Sequence, residues 1–392
     1  MIHDFDSIID RKNTYSTQWD FVIDRFGEAD LLPFSISDTD FRAPERLLNK
    51  LHQVIDHGIF GYSRWNHADF KQTITHYYQR AHHTKVADDW VVYSPSILYS
   101  ISVLLRLLTE KDEGILVFDP MYDAFIKVVN ENDRKLLTVP LKREEHYKID
   151  FALLEEKIAK CKVFLLCSPH NPTGKVFTKE ELAKIISLCK KYQVYLISDE
   201  IHSDIILFDA IHYPILNWYN DYDRLILLNS ASKTFNIPGL GGSYGLIPDQ
   251  ELRMEFLVQT RERDFVNSPS IMGMLATMTA YNECQKYVME LVHYIEENMR
   301  QLKNYLAEQL PEIQFELPQA TYLAWLDVRG LPFSDDELQK ALVQVGKVGI
   351  MCGDVYGAEG RGFLRMNVGC PQVKMLEGLQ RMKQSMDFLE EG

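Results

Sequence analysis

Apolar residues recur along this chain with two different periods, and the alternation between them marks out its elements. Residues 44–57 carry Leu47, Leu48, Leu51, Val54 and Ile55 at helical spacing, with Gly58 behind them as a C-terminal stop. Short unbroken apolar runs follow at 114–118 (GILVF), 162–167 (KVFLLC), 194–198 (VYLIS) and 224–229 (RLILLN), the pattern of strands buried on both faces. Between the second and third, residues 179–192 predict a helix. Thr178 and Glu181 have capping-box spacing, and Leu182, Ile185, Ile186 and Cys189 share one face. Strand, helix and strand at that spacing imply a right-handed crossover and a parallel pair. The expected fold is therefore α/β, a mostly parallel sheet covered by helices on both faces.

From about residue 284 the rhythm changes. A long helix over 284–309, with Tyr287, Leu291, Ile295, Leu302 and Leu306 inward, leads to strands near 313–317 and 321–328. A helix near 335–345 and a strand near 362–368 follow, which is the order of a smaller α+β domain. The first 35 residues show no sustained period. The expected organisation is an N-terminal arm (1–45) packing with the small domain, a large domain (46–284) and a small C-terminal domain (285–392).

Composition narrows the function classes. At 392 residues and 46% hydrophobic, the chain has material for a large core. Its 56 acidic against 42 basic residues give a formal charge of −14, which repels polyanions and disfavours nucleic acid as a partner. No apolar stretch of about 20 residues predicts a membrane span, and the first residues, MIHDFD, lack the basic and apolar regions of a signal peptide. Six cysteines (161, 167, 189, 284, 352 and 370) form no C-x-x-C pair, so neither a zinc site nor a disulfide framework is expected. The expected location is the cytoplasm.

The candidate chemistry sits where the buried strands end, the usual ligand position in parallel α/β sheets. Ser168-Pro169-His170-Asn171-Pro172-Thr173-Gly174 follows one strand, Ser198-Asp199-Glu200-Ile201-His202 ends the next, and Ser230-Ala231-Ser232-Lys233 follows the third. Taken singly, these are a turn, a helix cap and a solvated lysine. Three adjacent strand ends would deliver Asn171, Asp199 and Lys233 into one crevice. Upstream, Ser94-Pro95-Ser96 precedes the apolar helical stretch Ile97 to Leu108, and free N–H groups at a helix start bind anions.

The segments HNPTGK, ISDEIH and SASKTFNIPG resemble the signatures of fold-type I pyridoxal-phosphate enzymes, the aspartate-aminotransferase superfamily. The chain is most similar to the cystathionine β-lyases of the MalY/PatB group. The resemblance extends through SDTDF (37–41), FGYSRW (60–65), DPMYDAF (119–125), LLCSPHNPTGKV (165–176), SPS (268–270), TYLAWLDVR (321–329) and GFLRMNVGCP (362–371). It implies that Lys233 holds the cofactor as a Schiff base and moves the Cα proton. Asp199 would pair with the pyridinium nitrogen, Asn171 would bond the ring phenolate and assist the substrate, and Tyr122 would stack on the ring. His202 stands where the superfamily often has a tyrosine. The phosphate would be held by Ser96, Ile97, Ser230 and Ser232, with Tyr62 reaching it from a second subunit of a homodimer. Arg365 matches the arginine that clamps the substrate α-carboxylate, for which a planar guanidinium is suited.

Two positions depart from common family patterns. Ser96 stands where the subgroup often has glycine, and Gly241 where many aminotransferases carry a phosphate-binding arginine. The lyase subgroup likewise lacks that arginine. The reaction implied is α,β-elimination of sulfur-containing L-amino acids to a thiol, pyruvate and ammonia. A class I/II aminotransferase and a regulatory protein that binds the cofactor without turnover stand as alternatives.

Overall fold

The four apolar runs all become central strands, and the order in which they pair places the candidate residues. A computed structural model describes residues 3–266 and 268–391. Its strands, in chain order, are β1 (Leu32–Pro33), β2 (Val91–Ser94), β3 (Gly114–Asp119), β4 (Lys135–Pro140), β5 (Cys161–Cys167), β6 (Tyr195–Asp199), β7 (Leu225–Asn229), β8 (Ser243–Leu246), β9 (Leu323–Asp327), β10 (Val348–Gly349), β11 (Met351–Cys352) and β12 (Phe363–Asn367). The large sheet has the order β2-β8-β7-β6-β5-β3-β4. β5, β6 and β7 run parallel side by side, with Cys167 opposite Asp199 and Asp199 opposite Leu228. Their C-terminal ends therefore share one edge of the sheet.

The helix between β5 and β6 spans Lys179–Tyr192, closed at its start by the Thr178–Glu181 capping box. Burial of Leu182, Ile185, Ile186 and Cys189 fixes the face it turns to the sheet. β8 is antiparallel to both β2 and β7, so the sheet is mixed. Four residues containing a glycine, Ser243-Tyr244-Gly245-Leu246, give too little periodicity to announce a strand.

The C-terminal part contains a three-stranded antiparallel sheet, β11-β12-β9. The long helix Gln285–Gln309 buries Tyr287, Leu291, Ile295, Leu302 and Leu306. The N-terminal segment joins this region at several points. β1 pairs in parallel with β10, and the buried Phe5 ring lies 5.5 Å from Tyr287 and 5.4 Å from Tyr294.

One expected strand fails. Residues 313–317 form no strand: Gln314 makes a single bridge to Asp327, and prolines at 311 and 318 leave no room for a ladder. The helix over Glu45–His57 forms with Gly58 as its left-handed C-terminal stop, Leu47 buried and Ile55 52% exposed. No helix among the described residues is long and apolar enough to cross a membrane.

Candidate active site

Where β5, β6 and β7 end, a cavity of about 200 Å³ opens. Ser96, Ile97, Tyr122, Asn171, Asp199, His202, Ser230, Ser232 and Lys233 all line it. Arg365, on β12, reaches the same place through a 3.1 Å hydrogen bond from its Nη1 to the Asn171 side-chain oxygen. Tyr62 does not join them. It stands fully exposed on the 59–65 segment, beside Arg64, Arg261 and Ser268.

Asp199 is 5% exposed and forms no ion pair among the described residues; its carboxylate accepts a hydrogen bond from the Ile201 N–H at 3.1 Å. Burial pushes it up to about 7, against the opposing influence of the Ile201 N–H and of Lys233. Such a group is short of a cationic partner. Burial also lowers the Lys233 ammonium, with Arg365 adding to the effect while Asp38 and Asp199 oppose it. Its Nζ donates to the Ser37 carbonyl at 2.8 Å. His202 is buried, its Nδ1 without a hydrogen-bond partner, and burial together with Lys233 and Arg365 lowers it to about 3. It is a neutral imidazole with a free ring nitrogen at the cavity wall.

The Arg365 guanidinium is nine-tenths or more buried and held from three sides. Nη1 donates to Asn171, Nη2 to the Ser35 carbonyl at 2.7 Å, and the Tyr356 ring lies 4.7 Å beneath it. Among the described residues its Nε has no hydrogen-bond partner. A planar fork fixed this way, with donors to spare, suits a carboxylate.

The opposite end of the cavity suits a dianion. Ser96 caps the helix Ile97–Leu108, accepting from the Tyr99 N–H at 3.2 Å, and Ile97 and Leu98, whose N–H groups the helix itself does not use, line the cavity. Gly241 and Gly242 close this end at φ values of +71° and +102°, a left-handed path that a side chain would strain. The Ser230 hydroxyl donates to the Gly242 carbonyl at 2.8 Å and accepts the Ser232 N–H, so it braces this turn. The Ser232 hydroxyl makes no such bond. A buried carboxylate lacking a cation, a free imidazole nitrogen, an amide, a lysine and a helix start thus match, in order, the groups of pyridoxal phosphate.

One part of the site escaped sequence reasoning. Residues 35–40 cross it as a strap whose carbonyls from 35 to 39 are engaged: Ser35 with Arg365, Ser37 with Lys233 and Tyr322, Ile36 and Asp38 with Asn367, Thr39 with Arg11 and Asn236. Arg11 pairs with Asp38 at 2.7 Å and with Asp40 at 2.8 Å, and Lys374 also pairs with Asp40, which anchors the strap to the C-terminal part. Backbone carbonyls leave no mark in residue types. The density of acidic residues in SDTDF was the available signal.

The sequence family described as aminotransferase class I and II matches residues 29–382. Protein MalY of Escherichia coli (strain K12) is 43% identical over 96% of this chain and 97% of its own length. Cystathionine β-lyase PatB of Bacillus subtilis (strain 168) is 36% identical over 97% and 99%. Among solved structures, cystalysin from Treponema denticola, which contains a pyridoxal 5'-phosphate cofactor, superposes with a TM-score of 0.94 at 29% identity, covering 99% of this chain and all of that one. With a family match over most of its length and relatives this similar end to end, the chain has the aminotransferase-like fold and belongs to the aminotransferase class I and II family.

Proposed function

We propose that this protein uses pyridoxal phosphate to eliminate a thiol from Cβ of sulfur-containing L-amino acids such as cystathionine, leaving pyruvate and ammonia. The observation that carries the reading is the convergence of the buried Lys233 and of Asp199, a carboxylate without a cation among the described residues, on one cavity, with the buried Arg365 bonded to Asn171 of its lining. The likeness to the cystathionine β-lyase PatB favours elimination over transamination, as does Gly241 in place of an arginine.

Pyridoxal phosphate, when bound, supplies an electron-withdrawing ring next to the substrate Cα. Asp199 holds a proton on the ring nitrogen by its negative charge; the pairing also relieves the carboxylate's own burial. Asn171 and His202 stand at the side of the cavity where a ring oxygen would be bonded, and Tyr122 gives it an aromatic face. Lys233, its ammonium disfavoured by burial, serves as the base for the Cα proton. Arg365 fixes the α-carboxylate and so sets which bond at Cα faces Lys233. The first-turn N–H groups after Ser96, with the Ser232 hydroxyl, hold the phosphate.

The active assembly in this reading is a homodimer in the cytoplasm. Ile59, Phe60 and Tyr62 are 72%, 61% and 102% exposed, and Phe265 is 78% exposed. These apolar side chains want cover, and Tyr62 would reach the partner's phosphate from such an interface. Free cysteines throughout fit a reducing compartment.

The decisive test is product analysis. Incubated with L-cystathionine alone, the protein should release pyruvate, ammonia and homocysteine in equal amounts. No pyruvate, with amino groups passing to 2-oxoglutarate from other amino acids, would make the aminotransferase reading correct. Neither activity, with the cofactor still bound, would point to a regulatory protein.

A further inference from the structure

A second cavity, of about 340 Å³, shares no lining residue with the first. It is lined from the helices Ala68–Ala81, Ile271–Glu283 and Gln285–Gln309, and its volume is that of a small-molecule site. Its walls are apolar. The Tyr77 and Tyr281 rings stack with centroids 4.0 Å apart, Phe235 stands edge-on to Tyr281 at 6.3 Å, and Val288 and Met289 line the cavity from the third helix. Two opposite charges share this lining. Asp204, half-buried, accepts the Thr234 hydroxyl at 2.8 Å on one carboxylate oxygen and the Tyr77 hydroxyl on the other. Arg80, exposed, donates from Nη2 to the Tyr281 carbonyl. Neither forms an ion pair, with the other or with any other of the described residues.

We infer that this cavity is a second ligand site, separate from the reacting one, and that it takes a free α-amino acid with an apolar side chain: the ammonium on Asp204, the carboxylate on Arg80, the side chain against the aromatic walls. Two hydroxyl bonds leave about half of a carboxylate's acceptor positions unused. Burial also raises the Asp204 carboxyl, against the opposing pull of those hydroxyls, of His212 and of Arg80, so a cation brought to it is favoured. Arg80 spends one guanidinium nitrogen on Tyr281 and keeps further donors for a carboxylate. Because the two charges do not bridge each other, the space between them admits a ligand that carries both. A simple amine would leave Arg80 unused, and a fatty acid would leave Asp204 unmet. Thr234 directly follows Lys233, so a ligand drawing on Asp204 acts on a bond one residue from the reacting lysine.

Binding at the first site has to be blocked, because free amino acids also compete for Lys233. Borohydride treatment of the cofactor-loaded protein does this by fixing the cofactor to that lysine. Calorimetry on the treated protein would compare L-norleucine with pentylamine and hexanoate, the same chain with one charged group removed. The expected result is a Kd at least tenfold lower for L-norleucine than for either, the scale of one charge-assisted hydrogen bond. Arg80→Gln should bring L-norleucine to the pentylamine value, and Asp204→Asn should bring it to the hexanoate value. Equal affinities for the three ligands in the unaltered protein, no binding of L-norleucine, or an advantage that survives Arg80→Gln would overturn the site. Arg80 is exposed, so this variant and the unaltered protein decide the matter even if Asp204→Asn folds poorly. Absence of pyruvate from L-cystathionine would count against the reaction and leave these affinities standing.

Discussion

Asp199 shows how much one buried charge can carry. Burial pushes its carboxyl up to about 7, whereas an unfolded aspartate loses its proton near 4. Between those values the folded, cofactor-free protein holds a proton that the unfolded chain has lost, so its stability falls as pH rises from about 4 to 7. Asp199→Asn removes this penalty. In melting curves of cofactor-free protein, the variant should gain on the unaltered chain as pH climbs from 5 to 8. Cofactor-loaded, the same variant should lose turnover by about 10²–10³-fold, the usual scale for removing a preorganised electrostatic partner. Unchanged turnover with unchanged pH dependence would make Asp199 a simple helix cap. Residue types alone suggested Asp199, Lys233 and Asn171; their protonation came only from burial.

At the scale of elements, the turn after β5 holds Asn171 in place through a distant segment. Gly174 donates to the His170 carbonyl at 2.8 Å and accepts the Gln319 N–H at 3.0 Å, at a φ of +68°. A methyl group there would collide with Pro318 and come within 3.0 Å of the Ala320 carbonyl. Gly174→Ala should therefore cost at least about 2 kcal/mol, combining left-handed strain with the clash. It should also weaken cofactor retention by moving Asn171, and a melting temperature equal to the parent's would show that the turn yields freely. The Asn-Pro-Thr-Gly spelling announced a turn. That the turn is clamped by residues 318–320, about 145 positions later, was invisible.

For the whole molecule, the exposed apolar side chains at 59–62 and 265 are the feature a single chain leaves unexplained. Sedimentation of cofactor-loaded protein should show a dimer, and Tyr62→Ala should raise the cofactor's dissociation constant by about tenfold, the worth of one hydrogen bond to a charged group. A fully active monomer would remove Tyr62 from the site. We propose that residues 1–45, 46–284 and 285–392 act as arm, large unit and small unit. The strap at 35–40 links them, since its carbonyls hold Lys233 from one unit and Arg365 from the other.

What the sequence determined by itself was whatever is local or chemical. Unbroken apolar runs gave the parallel strands, the Thr178–Glu181 spacing gave a helix start, and residue identities near strand ends gave the reacting groups. Tertiary structure decided the features that need partners far away in sequence. β8 becomes a strand because β2 and β7 flank it, although its own four residues are weak. Residues 313–317 fail as a strand because only one neighbour reaches them. The strap over the site consists of carbonyl groups that every residue possesses, so only the path of the chain could reveal it.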